Sequence, residues 1–174
     1  MTGSQSMFQG CMGRSVKASL AVLLLTSAHH VYGGLLYGTP WRLHMVGVAA
    51  VTTGILLASL RVLRPSRGGL RGELAFAVLT LTTLAVPVGM IGAFEGLYNH
   101  VLKDVLYFGG APTDLLSQLF PPPTYELPND VLFELTGVLQ PVPAGLALLA
   151  LVRAFRERWA SAPGRANRDV AEVP

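Results

Sequence analysis

The sequence predicts an all-α fold: an integral membrane four-helix bundle, with an extracytoplasmic loop and short helix lying as a lid between helices 3 and 4. Three observations carry that prediction. Of 174 residues, 51% are hydrophobic and 13% charged, against about a quarter charged in an ordinary soluble domain. No formal charge occurs in Ala18 to Trp41, Leu43 to Leu60, Leu74 to Phe94 or Leu135 to Val152, and each stretch is long enough for a tilted helix to cross roughly 30 Å of hydrocarbon. All of the 13 Lys and Arg except Arg42 and Lys103 flank one side of these stretches. The positive-inside rule assigns that side, with both termini, to the cytoplasm, and the chain to the inner membrane as a multi-pass protein.

Taken in order, residues 1–14 are polar, glycine-bearing and aperiodic, which predicts a disordered cytoplasmic N-terminus. A transmembrane domain is expected over residues 15–160, with helices at about 15–37, 40–63, 73–108 and 130–158. Arg14 and Lys17, followed by an apolar run and Thr26-Ser27-Ala28, also fit a cleavable signal peptide. The run continues to Tyr37, however, and so makes a full-length span. Gly38-Thr39-Pro40-Trp41 supplies a helix stop, an N-cap threonine, a first-turn proline and an interfacial aromatic. The loop Arg61 to Gly72 carries four arginines with Pro65, Gly68 and Gly69, a composition suited to a turn at anionic headgroups.

Pro87 and Gly89 predict a kink in the third span. Beyond it, Thr113 is placed to cap a short amphipathic helix from Asp114 to Phe120, whose leucines rest on bilayer or bundle. Pro121-Pro122-Pro123 then forces an extended path to Asn129 or Asp130, either of which can cap the fourth span. Residues 161–174 are polar and proline-bearing and predict a disordered cytoplasmic tail.

Composition excludes several functions. Cys11 is the single cysteine, so neither a disulfide framework nor a thiolate metal site forms within one chain. The net charge of +3 sits in blocks beside the spans, which reads as topology and not as a nucleic-acid surface. The partner implied is the lipid bilayer, with a homo-oligomer or a partner membrane subunit as a further possibility.

Chemistry is expected from the ionisable residues inside the membrane, which usually face the bundle interior, a water cavity or a partner. A rise of 1.5 Å per residue from the cytoplasmic anchors puts His30 about 18 to 20 Å up the first span and His44 about 25 Å up the second. Glu95 comes about 31 to 33 Å up the third and Glu134 about 28 Å up the fourth. Four helices thus bring an imidazole or carboxylate to the outer half, as in bundle-core metal sites.

His30, His44, Glu95 and Glu134 are therefore candidate metal ligands, with His29 and His100 as weaker ones. Neighbours on one helix point about 100° apart, so one of His29 and His30 is expected to face the bundle, and His30 shares its stripe with Ser27, Gly34 and Tyr37. Lys103, Asp104 and Tyr107 form a candidate polar entrance. Gln140 is expected to satisfy backbone freed by Pro141, and Glu95 to pair with Arg42 or Lys103 if it is not ligated. The donor set suits a transition metal or, through two axial imidazoles, haem b, in a membrane redox role. Two other readings fit the same residues: a small permease or accessory subunit of a membrane complex, and a metal-free enzyme acting on a lipid-phase substrate.

Overall fold

The computed structural model describes residues 3–63, 69–122 and 124–160, and it is helical throughout its long elements. We number the helices α1 (Gly3–Leu36), α2 (His44–Leu63, entered through a 3-10 turn at Pro40–Leu43), α3 (Leu70–Phe108), α4 (Thr113–Leu119) and α5 (Val131–Ala160). Among the described residues, four helices are long and apolar enough to cross a membrane: Ser6–Leu36, Pro40–Leu63, Leu70–Phe108 and Val131–Ala160. By that length and composition the chain is a multi-pass membrane protein. The arginine loop at residues 64–68, Pro123 and the tail from Ser161 lie outside the described residues.

The four long helices close into a ring in which α1 packs on α2 and α5, and α3 packs on α2 and α5. Small residues set the closest seams. A Cβ at Gly92 would overlap the Cβ of Ala144, and one at Gly96 would stand 2.5 Å from Pro141 Cδ, so α3 approaches α5 at backbone distance, as small residues permit in membrane bundles. On the other side of α5, Ser15 Oγ donates to Ala147 O at 2.9 Å, tying α1 to it. Gly38, at φ 62°, ends α1 with a left-handed residue that a side chain would strain.

One expectation fails at the N-terminus. Residues 3–14 are not loose but form the first turns of α1, because Cys11 and Met12 are buried in the core and Phe8 packs on Phe76 with ring centroids 5.7 Å apart. Arg158 lies over the Phe76 ring and pairs with Glu73, so this end is closed by an aromatic pad under a guanidinium. Tertiary contact overrides the weak local propensity that a polar, glycine-bearing segment shows on its own.

Helix α3 holds a second departure. It is α-helical to Thr83, then widens to i→i+5 bonding over Leu84–Leu102, and returns to α geometry at Lys103–Phe108. Pro87 lies inside the widened stretch and lacks the amide proton an α turn would use. Helix α5 breaks briefly at Leu139 and Gln140, where Gln140 N and Val142 N make shorter-range bonds to Gly137 O and Leu139 O, both 3.1 Å. Asp130 caps α5 by accepting from Phe133 N at 2.8 Å, whereas Thr113 makes no cap bond to α4. Thr39 does not cap either, since its hydroxyl takes the Arg42 Nε proton at 2.8 Å.

The segment between α3 and α5 lies over the end of the bundle as expected. Leu116 and Phe120 are its buried residues, and Tyr98 Oη donates to Leu119 O at 3.0 Å beneath it. Lys103 Nζ donates to Glu126 O at 2.8 Å, and Tyr37 Oη to Asn129 Oδ1 at 2.6 Å.

Candidate functional site

Under this lid is a cavity of about 240 Å³, whose lining includes His29, His30, Arg42, His44, Glu95, Asn99, His100 and Lys103. Three of the four expected residues, His30, His44 and Glu95, therefore share one space. Glu134 does not line it. It stands behind His100 and opens on a second cavity of about 470 Å³ with Asp104 and Asp130. Among the described residues, no group of three or more His, Cys, Asp or Glu side chains converges as a metal centre would require.

Glu95 is the hub. Its Oε1 accepts from Gln140 Nε2 at 2.8 Å, and both its oxygens lie 3.3 Å from the Thr26 hydroxyl. His30 Nε2 comes within 3.0 Å of Oε1 and His29 Nε2 within 3.8 Å. One carboxylate thus gathers groups from α1 and α5, which is how a buried charge is kept tolerable. Neither Arg42 nor Lys103 is its partner. Gln140 was expected to serve the backbone at Pro141, but the tight turn there satisfies the chain and releases the side chain to Glu95.

Both neighbouring histidines of α1 face inward, against the expectation that one would. The helix has partners on two sides and α3 across from it, so a 100° separation still keeps both rings inside. His29, 1% exposed, stacks on Phe133 at 4.2 Å and meets His100 edge-on at 4.8 Å. His30 faces His44, with ring centroids 6.5 Å apart. His44 itself is at the exposed rim, with Nδ1 on Trp41 O at 2.6 Å.

Hydrogen bonding sets the neutral tautomer of the buried His100 ring. The Thr136 hydroxyl lies 2.9 Å from His29 Nδ1 and within reach of Leu132 O and Phe133 O at 2.8 and 2.9 Å. Glu134 Oε2 lies 2.7 Å from His100 Nδ1, and an ionised carboxylate only accepts. In its neutral form the His100 ring therefore carries its proton on Nδ1 and leaves Nε2 as the acceptor, the arrangement in which a carboxylate orients a general base.

Lys103 is the largest correction to the expected entrance. It is 2% exposed and donates to Glu134 Oε1 at 3.0 Å as well as to the lid. Asp104 lies beside it on the second cavity, and Tyr107 is exposed. At the rim, the Tyr37 phenol is pushed up to about 12, first by loss of water and then by the carboxylates of Glu134, Asp130 and Glu126.

The sequence reading gave too little weight to His29 and His100 and did not single out Thr26, Asn99 or Phe133. Thr26 had a signal, since it lies one turn from both His29 and His30 on the same helix. The shared facing of Glu95 and His100 had none, because five residues along an α-helix are turned about 140° apart. The widened stretch of α3 brings them to a common side.

Gly137 fixes the ring of His100, which a Cβ at that position would overlap. Gly137→Ala is expected to cost about 1 to 3 kcal/mol by overpacking and to break the Glu134 to His100 bond. Mixed-micelle unfolding measures the first effect and the His100 side-chain nitrogen resonances the second. No protein-family model matches this chain, and no curated protein or solved structure matches it either.

Proposed function

We propose that this chain is an inner-membrane enzyme, with cytoplasmic termini and its site in the outer half of the bundle, that performs metal-free acid and base chemistry on a lipid-phase substrate. The observation that carries this reading is the pair of imidazole and carboxylate couples, Glu134 with His100 and Glu95 with His30, flanking one cavity. Acid and base work needs two groups whose surroundings hold different protonation states. His100, oriented by Glu134, offers Nε2 as the base. Glu95, held as a carboxylate by Thr26 and Gln140, is positioned to exchange a proton with His30.

A second reading, a metal centre built on Glu95, draws support from the two imidazole nitrogens near its Oε1, and it would require the side chains to move together. Purified protein labelled with nitrogen-15 at histidine separates the two. The acid and base reading expects an unligated His100 ring whose Nδ1 holds its proton, with that preference lost in Glu134→Leu. About one equivalent of transition metal, lost in His30→Ala, would overturn it in favour of the metal centre.

A further inference from the structure

Arg42 is one of the two cations expected on the lid side, yet it is not at the surface. It is 6% exposed, packed against the faces of Trp41, Tyr37 and Phe133 at 5.1 to 5.5 Å. Its Nε is held by Thr39. The nearest carboxylate, Glu126, stands 3.9 Å from Nη2, beyond hydrogen-bond range. Among the described residues Nη2 has no hydrogen-bond partner, and neither does either ring nitrogen of His30 or Oδ1 of Asn99, all in residues that line the same cavity. A guanidinium removed from water without a close counter-ion is strongly disfavoured, whereas its fork of donors matches carboxylate and phosphate oxygens.

We infer that Arg42 is an oxyanion-binding residue, and that the cavity takes the carboxylate or phosphate head of an amphiphile whose tail leaves past Met45, Met90 and Phe94. These three apolar side chains line the cavity, and Phe94 is exposed on the outside of the bundle. The other charges in the lining are compatible with an anion there. Glu95 is held by Thr26 and Gln140, Lys103 is bound to Glu134 and the lid, and His30 and His44 add ring nitrogens. Glu126 is the one carboxylate an incoming anion displaces from Arg42, and at 3.9 Å it is loosely engaged. The inference rests on the proposed enzyme only in naming its substrate class, because binding is measured without turnover.

The experiment uses Trp41, which lines the cavity, as the reporter. The full chain carrying Trp159→Phe is placed in phosphatidylcholine nanodiscs and titrated with 2-bromooctanoate, its methyl ester and bromoacetate. Saturable quenching by 2-bromooctanoate but not by the ester is expected, weakened about tenfold or more in Arg42→Gln by loss of a charged hydrogen bond, and partly retained in Arg42→Lys. Saturable quenching by bromoacetate at equal concentration would keep the oxyanion site but overturn the amphiphile, assigning a water-borne anion. Equal quenching by acid and ester, or an unchanged curve in a folded Arg42→Gln, would overturn the site itself. None of these outcomes depends on the His100 tautomer, so failure here and failure of the proposed chemistry are told apart.

Discussion

Replacing Glu95 by leucine is expected to lower the unfolding free energy by about 2 to 4 kcal/mol. The lower figure takes the Thr26 and Gln140 bonds at roughly 0.6 kcal/mol each, the average for side-chain bonds between membrane helices, with the close approach of His30 Nε2 to Oε1 adding a similar amount. The higher figure follows if the Thr26 and Gln140 donors stay buried and orphaned, at about 2 kcal/mol each. Leucine fills most of the vacated volume, so a large cavity term does not arise. Unfolding in mixed micelles, followed by far-ultraviolet dichroism, measures the loss. A change below about 0.5 kcal/mol, the size of an ordinary surface substitution, would mean that the hub is solvated and that the helices are not joined through it.

The second large effect belongs to Lys103 and Glu134. Glu134→Leu leaves an ammonium that is 2% exposed with only the Glu126 carbonyl as a hydrogen-bond partner among the described residues, which is expected to cost about 3 to 5 kcal/mol. Lys103→Met costs less, because His100 still donates to Glu134. With both changed, no charge is stranded, and at least half of the Glu134→Leu loss should return, since a buried ion pair replaced by apolar groups of similar volume is often nearly neutral. A double-mutant cycle reads the coupling directly, and additive losses would refute it.

The four spans were legible because charge is expelled from hydrocarbon whatever the tertiary contacts, so four long uncharged stretches announce four apolar helices. The start of α1 was not, because Phe8 and Met12 are ordered by Phe76 and the rest of the core, which no local pattern announces. In the site, depth could be counted along each helix, and His30, His44 and Glu95 were found that way. Azimuth was harder to read. His29 faces inward because α1 has neighbours on two sides, and His100 because α3 widens, and neither is written in the spacing of residues. Gln140 was assigned to the backbone at Pro141, a need that the turn at Leu139 meets without it.

The lid is fastened by Tyr98, Lys103 and Tyr37, each through a hydrogen bond worth roughly 0.5 to 3 kcal/mol, and these fasteners rise from two different helices. A solute arriving from water must undo several of them together. One already dissolved in the bilayer meets Phe94, Met90 and Met45 at the junction of α2 and α3, where passage asks only for rotation of unbranched or planar side chains. On the proposed lipid-phase reading, the substrate takes the sideways route, and traffic is sorted by solubility in oil before any polar group inspects it.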